Sequence, residues 1–259
     1  MIPLKDDAPR VTTPYVTYFL IAANTLLFLL EVFGTLVATR HLDLSHFLFQ
    51  DPSINPALAV VPARFPIVLF NQGYVPWELV YRMGTRYVPA AAAFVPVFTS
   101  MFLHASWMHL ILNMLTLYIF GDNVEDYLGH FRYILLYLIS GVAAMAVHTL
   151  FNLYSTVPTV GASGAIAGVM GAYFLLYPRA KVLTIVPFFF IWFMWLPAWI
   201  VLGYFFVGQF LLGAATSISV RGGNAGGVAV WAHVGGFLAG MALVKLFPAR
   251  TRRYHYGGF

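Results

Sequence analysis

The sequence contains no cysteine and few charged residues. The first absence excludes a disulfide framework, a thiolate-metal site and a catalytic thiol. Charged residues make up 9% of the chain and hydrophobic residues 61%, whereas soluble domains have about 25% charged and about 45–50% apolar residues. A water-soluble core cannot absorb this composition, so the sequence predicts an integral membrane protein in contact with the lipid bilayer.

Acidic residues are scarce and confined to one half of the chain. All nine precede residue 127, and of these only Glu31 falls inside a predicted membrane span. The sequence has no His-Glu-x-x-His motif and no pair of intramembrane aspartates, which excludes a zinc protease of that motif and an aspartyl mechanism. It also has no nucleic-acid-binding signal. We therefore expect no nucleic acid, no cofactor and no bound metal.

Six apolar segments are long enough to cross a bilayer as helices, which takes about 20 residues each. The apolar stretch after the fourth segment contains Pro187 and Pro197, so we divide it there and assign residues 188–195 to the membrane interface, where Trp is favoured. The sequence predicts an all-α integral membrane protein with six transmembrane helices in a single membrane domain, residues 1–259. The spans cover roughly residues 15–38, 101–121, 131–151, 158–177, 197–216 and 228–247.

Lys and Arg residues are distributed unequally between the two sides of these spans. The short loops of one side contain only Arg221, whereas the other side holds the larger set. Because basic residues concentrate in cytoplasmic loops, both termini are expected in the cytoplasm, as in a bacterial-type inner membrane. The long first connection, about residues 39–100, then lies outside as an ordered aromatic cap, with Glu78 and Arg82 at helical i, i+4 spacing. The larger basic set is Lys5, Arg10, Arg132, Arg179, Lys181, Lys245, Arg250, Arg252 and Arg253.

Three predicted spans carry polar side chains near their outer ends. Ser163, His233 and His109 each lie roughly five to eight residues inside a span, which at ~1.5 Å per residue places them at a similar depth. Asn113 shares a helix face with His109 because residues i and i+4 coincide. Polar side chains inside spans are costly, so this cluster is a functional hypothesis.

Each residue of the cluster also has a structural interpretation. The Gly-x-Ser-Gly at Ser163 can be a helix-packing seam, since small residues four apart let backbones approach. His109 with Asn113 can serve as hydrogen-bonding glue between helices, and His233 alone is as compatible with a structural role as with a catalytic one. Their coincidence at one depth favours chemistry.

The cluster has the parts that acyl transfer needs. Ser163 can act as the nucleophile once His233 removes its proton. The Ser163 backbone N–H, the Asn113 amide and the His109 ring can stabilise the oxyanion, and glycines around the serine let the substrate backbone come close. Because no acidic residue is placed at this depth, we expect a Ser-His dyad and not a triad with a carboxylate.

Three motifs resemble those of the rhomboid intramembrane serine proteases. They are "HASWMHLILN" from His104 to Asn113, "GASGAIAG" around Ser163 and "AHVGGFLAG" around His233. The resemblance covers about residues 96–247 and implies a rhomboid-like bundle of six helices with a long outer first loop.

The resemblance also implies site roles. Ser163 and His233 would form the dyad, His109 and Asn113 would line the oxyanion site, and the substrates would be membrane-spanning segments of other proteins, cut near the outer face. His104, Gly161 and Gly164 would support the site, and Glu125 and Arg132 would be structural on the cytoplasmic side.

The sequence departs from the family pattern in two places. Ala167 stands where some members place a Tyr that stacks on the base, and the Trp-Arg pair of the first outer loop is absent. Three alternatives stay open: an inactive rhomboid-like protein that binds membrane proteins without cutting them, a transporter with broken helices, and a zinc site formed by His104, His109 and His233.

Overall fold

The computed structural model describes residues 1–41, 73–84, 90–188, 190–219 and 229–250. Most of these residues are helical, and a short 3-10 turn at Ser100–Phe102 separates two of the helices. The elements of the described ranges are, in chain order, β1 (Ile2–Asp6), α1 (Tyr15–His41), α2 (Pro76–Gly84), α3 (Ala90–Thr99), α4 (Trp107–Leu128), α5 (His130–Phe151), α6 (Ser163–Leu176), β2 (Lys181–Phe188), β3 (Phe190–Pro197), α7 (Ala198–Ser219) and α8 (Val230–Leu246).

Three helices within the described ranges are long and apolar enough to cross a membrane, namely α1, α5 and α7. A fourth, α4, qualifies together with the segment Phe94–Phe102, from which it is bent by 87°. The helices α6 and α8 are apolar but shorter, with 14 and 17 residues. The prediction of a largely helical membrane protein is confirmed, and three to four helices qualify as spans by length and composition.

The predicted start of the fourth span is wrong. Residues 157–162 are not helical, and α6 begins at Ser163. Gly161 has φ +131°, which lies outside the helical region and which residues with a side chain rarely adopt. Ser163 is therefore the first residue of its helix, and the depth counted from Val157 at one helical rise per residue does not apply.

The second span also starts later than predicted. The side chain of Ser106 caps α4 by accepting a hydrogen bond from the backbone N–H of His109 at 3.1 Å, as serine at an N-cap commonly does. The helix continues to Leu128 and ends at Gly129, which has φ +78°. His109 consequently lies in the first turn of α4, beside the chain segment that precedes it.

The first connection is described in part. Residues 42–72 and 85–89 of the predicted outer cap lie outside the described residues, as do the side chains of Glu78 and Arg82. Tyr74 is buried and exchanges two backbone hydrogen bonds with Thr159, with N–O distances of 3.0 and 2.7 Å. The chain just before α2 is thereby joined to the extended segment that leads into α6.

A three-stranded antiparallel sheet was not predicted. Its strand order is β1-β2-β3, with Ile2 opposite Ile185 and Ile185 opposite Phe193. The stretch of residues 181–197 is rich in β-branched and aromatic residues, which favour strands, and the two prolines that we used as helix breaks lie at strand ends. The aromatic run assigned to the membrane interface therefore belongs to a β-hairpin.

The helices α6 and α8 pack closely because glycines face each other across the contact. A Cβ atom added to Gly236 would collide with the carbonyl oxygen of Gly164, and one added to Gly240 would collide with that of Gly168. Such small residues allow the two backbones to approach. A helix-packing seam, the structural interpretation given above for the Gly-x-Ser-Gly at Ser163, is therefore present and includes Gly164, and it brings the start of α6 next to the start of α8.

The C-terminal end of α4 binds the N-terminal segment through carboxylates. The buried side chain of Glu125 accepts hydrogen bonds from the backbone N–H groups of Val16 and Thr17 at 2.9 and 2.8 Å and lies 2.6 Å from His130 Nδ1. Asp126 accepts the backbone N–H groups of Val11 and Thr12 at 3.0 and 2.9 Å.

Arg132, at the start of α5, makes a further contact at the same end of the bundle. Its Nη1 donates a hydrogen bond to the carbonyl of Pro248 at 3.0 Å. The described contacts of Glu125 and Arg132 therefore tie chain segments together, as a structural role requires.

Candidate active site

Ser163 and His233 meet at the ends of two tightly packed helices. Ser163 begins α6, His233 lies in the first turn of α8, and the distance between Ser163 Oγ and His233 Nε2 is 2.7 Å. The imidazole is 7% exposed, so it is largely shielded from water that would compete for this hydrogen bond. A serine hydroxyl in direct contact with an imidazole is the arrangement of an activated nucleophile.

Gln209 is the second hydrogen-bond partner of His233 and was missed by the sequence analysis. It belongs to α7, and its Oε1 lies 2.8 Å from His233 Nδ1. Within the described residues, the imidazole hydrogen-bonds to Ser163 and Gln209 and to no carboxylate. A polar side chain in the predicted span 197–216 is itself a functional signal, so the rule that selected the other site residues selects Gln209 as well.

Phe205 also contacts His233 from α7. The two ring centroids are 5.8 Å apart, and the ring planes are inclined by 42°. Phe205 lies one helical turn before Gln209, on the same face of α7. The position that some family patterns give to a Tyr is here the fully buried Ala167, and the aromatic contact to the base comes instead from another helix.

The absence of a side chain at Gly161 allows the ring of His109 to lie close to the serine. A Cβ atom at Gly161 would lie 2.7 Å from His109 Cε1, 2.8 Å from His109 Nε2 and 3.6 Å from Ser163 Oγ. The imidazole of His109 and the Ser163 hydroxyl thus border the same small space. A side chain at Gly161 would collide with His109 and would also be strained at φ +131°, so both the backbone and the space require glycine.

Asn113 supplies a buried amide next to this space. It is 7% exposed, and among the described residues its Nδ2 has no hydrogen-bond partner. A buried donor without a partner is costly. Asn113, His109, Ser163 and His233 line one cavity, so the amide is available to a group that enters there.

His104 lies behind His109 and not at the cavity. It is fully buried, and its ring contacts the His109 ring edge-on with 5.2 Å between centroids. Its ring also lies edge-on to the ring of Phe28 on α1, with 6.5 Å between centroids. These contacts support His109 from behind. Gly164 lies where α6 packs closely against α5, since a Cβ there would lie 2.7 Å from Ala144 Cβ.

The same cavity extends as a groove lined by both α4 and α7. Its lining is mostly apolar and includes Leu112, Leu115 and Phe120 of α4 and Val201 and Leu212 of α7. The groove reaches Met1 at the other end of the bundle. An apolar segment that entered it would pass the hydroxyl of the serine.

The histidines of the site are not arranged as a metal centre within the described ranges. Across the parts of the chain that the structure describes, no group of three or more His, Cys, Asp or Glu side chains is arranged to hold a metal ion. His104 contacts His109 by its ring edge, and His233 uses both ring nitrogens for Ser163 and Gln209.

The family model and three known proteins that match this chain are all named rhomboid. The family model of the rhomboid domain matches residues 91–250. Rhomboid-like protein 11, chloroplastic, of Arabidopsis thaliana is 34% identical over 164 residues, which cover 59% of this chain and 53% of that protein. RHOMBOID-like protein 6, mitochondrial, of the same organism is 35% identical over 129 residues, covering 50% and 38%.

A bacterial relative carries the word protease in its name. Rhomboid protease GluP of Bacillus subtilis is 40% identical over 79 residues, which cover 30% of this chain and 15% of that protein. The chain spans about half or less of the length of these three relatives.

Proposed function

Because the chain belongs to the rhomboid family of intramembrane proteases, we propose that it is a serine endopeptidase that cuts membrane-spanning segments of other proteins with a Ser-His dyad. One observation carries this proposal, namely the 2.7 Å contact between Ser163 Oγ and His233 Nε2. A protein that only binds membrane proteins does not require this contact. A transporter does not require it either.

The first chemical step is attack by the serine. His233 Nε2 takes the Ser163 proton while Ser163 Oγ bonds to the carbonyl carbon of the scissile peptide. The carbonyl oxygen becomes an oxyanion, for which the donors are the backbone N–H of Ser163, the Nδ2 of Asn113 and the ring of His109. The backbone N–H of Ser163 suits this role because the first N–H groups of a helix have no intrahelical acceptor.

The second step releases the product amine. His233 passes its proton to the leaving nitrogen, the peptide C–N bond breaks, and an acyl group remains on Ser163 Oγ. Water then attacks the acyl carbon, with His233 taking the proton of the water and returning one to Ser163. No other reactant is required for hydrolysis.

The groove between α4 and α7 supports a substrate class. Its apolar lining suits an apolar segment, and the presence of Ser163 in that lining suits a backbone that has left the helical conformation. Helices with Gly or Pro unwind more easily than helices of Leu. We therefore expect cleavage near such residues, with a small residue at the cut.

The membrane arrangement is also part of the proposal. The single membrane domain would place α1, α4, α5, α6, α7 and α8 as six spans, with the first connection outside and both termini in the cytoplasm of a bacterial-type inner membrane. At 14 residues, α6 is about 21 Å long, less than the ~30 Å of the hydrocarbon core. One end of α6 therefore lies inside the bilayer, and we assign this to the Ser163 end, below the outer surface.

A serine-directed fluorophosphonate probe tests the proposal on the full chain in detergent or liposomes. The activated hydroxyl attacks the phosphorus of the probe, so labelling should map to Ser163 and disappear in Ser163→Ala. Ser155→Ala is the matched control, because Ser155 lines the same cavity and has no imidazole partner among the described residues. Absence of labelling in folded protein would favour the binding-protein alternative, and labelling at another serine would contradict the role of Ser163.

A further inference from the structure

We propose that Gln209 is a positioning residue that holds His233 in the tautomer required of a general base. The inference rests on the proposed function, since it concerns the base of the same site. It starts from the 2.8 Å contact between Gln209 Oε1 and His233 Nδ1 and the 2.7 Å contact between His233 Nε2 and Ser163 Oγ.

A neutral imidazole has one N–H donor and one acceptor nitrogen. His233 can remove the Ser163 proton only if Nε2 is the acceptor, and the ring proton must then be on Nδ1. Gln209 Oε1 accepts that proton's hydrogen bond and so favours this tautomer. In the other tautomer, an Nε2–H would donate to Ser163 Oγ and leave no site for the serine proton.

The amide performs a task for which serine proteases use a carboxylate. The nine acidic residues all precede residue 127, so the sequences of α6, α7 and α8 contain none. An ionised carboxylate within a membrane-spanning helix is costly. A glutamine provides the acceptor oxygen without a net charge, which matches the surroundings of α7.

The contacts of α7 with α8 explain how Gln209 is held in place. Its neighbours one turn away, Phe205 and Gly213, contact the His233 ring and the Trp231 ring. Two turns after Gln209, the Ser217 hydroxyl accepts a hydrogen bond from Trp231 Nε1 at 3.1 Å. The orientation of the base therefore depends on where α7 lies against α8. The face of α7 that makes these contacts consists of Phe205, Gln209, Gly213 and Ser217.

Gln209→Met tests the role, because methionine is similar in length to glutamine and lacks the carbonyl acceptor. We expect kcat to fall about 10- to 1,000-fold, at or below the lower part of the ~10²–10⁴-fold range of general-base effects, with KM changed less than threefold. Gln209→Glu keeps an acceptor oxygen at the same place and should retain at least tenfold more activity than Gln209→Met. The matched control is Val207→Met, which places the same methionine at an exposed position of α7 outside the lining of the cavity and should leave kcat unchanged.

A second measurement needs no change at Gln209. The ¹⁵N shifts of the imidazole nitrogens, assigned to His233 by comparison with His233→Ala, distinguish the two neutral tautomers. Protonation at Nδ1 in the unaltered protein, and a mixed population in Gln209→Met, is the expected result. Protonation at Nε2 in the unaltered protein would overturn the inference.

The outcomes separate this inference from the proposed function. If the unaltered protein is labelled at Ser163 and Gln209→Met retains full kcat, or if Gln209→Met and Gln209→Glu lose activity equally while folded, the positioning role is wrong and the dyad stands. If the unaltered protein is not labelled at Ser163, the proposed function itself fails.

Discussion

The two ends of α4 carry polar side chains that are used in opposite ways. At the C-terminal end, the carboxylate of Glu125 accepts three hydrogen bonds from Val16 and Thr17 and lies against His130. At the N-terminal end, Asn113 has a buried Nδ2 with no partner among the described residues. Glu125 has its hydrogen-bond partners within the chain, whereas the amide N–H of Asn113 has none among the described residues.

The difference between Glu125 and Asn113 distinguishes groups that stabilise the fold from groups that are expected to act in turnover. A buried group whose partners are all provided by the chain stabilises the fold, and its removal leaves those partners unsatisfied. A buried donor without a partner in the chain lowers the stability of the fold, and such groups are retained at functional sites. We therefore expect substitutions at the Glu125 end to change the free energy of unfolding, and substitutions at the Ser163 end to change turnover.

The largest effect is expected at the dyad. Ser163→Ala should abolish substrate cleavage, and His233→Ala should reduce it about 10²- to 10⁴-fold or more, because an unassisted hydroxyl is a weak nucleophile. Both variants should unfold at the same temperature as the unaltered protein, to within a few degrees. Cleavage of a model membrane-spanning substrate and thermal unfolding in detergent are the measurements. Full cleavage without His233 would contradict the dyad.

The next largest effect is expected at the opposite end of α4. Glu125→Ala removes the acceptor of two backbone N–H groups and of the Thr17 hydroxyl. We expect the free energy of unfolding to fall by about 2–5 kcal/mol, measured by denaturant titration. Fluorophosphonate labelling of the fraction that remains folded should be normal. A labelling defect in folded Glu125→Ala would break the separation between the two ends.

Asn113→Ala should separate the oxyanion donor from the dyad. Turnover should fall about 10- to 1,000-fold as one donor to the oxyanion is lost, while labelling at Ser163 persists at a reduced rate. Because its Nδ2 makes no hydrogen bond within the described chain, the free energy of unfolding should fall by less than about 1 kcal/mol. A large loss of stability would instead assign Asn113 to the structural group.

The residues of the site were predictable, whereas part of their geometry was not. Polarity inside apolar spans selected Ser163, His233, His109 and Asn113, and the structure brings all four to one cavity. Their catalytic roles stay predictions. Counting depth from Val157 was wrong because a glycine with positive φ delays the start of α6, and no residue count reveals a backbone angle.

Two further features escaped the sequence for different reasons. Gln209 carried the same signal as the other polar residues, but its partner is 24 positions away on another helix, and pairing across helices requires the fold. The β-hairpin of β2 and β3 escaped because a short apolar run fits a buried helix and a strand equally well. Its pairing with β1, which begins at Ile2, is a long-range contact without a local pattern.

Labelling of cysteine variants from outside the cell can determine which end of α4 faces outward. Since the chain lacks cysteine, single-cysteine variants need no background substitution. Thr156→Cys, exposed near the Ser163 end, should react with a membrane-impermeant maleimide in intact cells at least about tenfold faster than Arg179→Cys, exposed after α6. The lipid barrier is the physical reason, and detergent should remove the difference. The reverse ratio would invert the proposed orientation.

The smallest effect is expected in β3, which contrasts with both polar ends of α4. The side chains of residues 191–195 are all exposed, with Phe193 at 64%, and neighbouring residues of a strand point to opposite faces. Within the described residues β2 alone pairs with β3. An apolar strand edge in water invites aggregation, and one in hydrocarbon leaves backbone groups unsatisfied.

At the membrane interface, the strand edge meets neither the aggregation hazard of water nor the unsatisfied backbone groups of hydrocarbon. Water and headgroups reach the backbone there, while the side chains contact acyl chains. Trp is also favoured at the interface. A polarity-sensitive fluorophore on Phe193→Cys in liposomes should therefore emit at shorter wavelength than on Lys181→Cys, an exposed position of the same sheet. Brominated lipids should quench the first more strongly. Cleavage activity should change less than twofold in either variant, since β3 makes none of the described contacts of the dyad. Equal emission at both positions would place the hairpin in water, and the apolar edge would then need a protein partner.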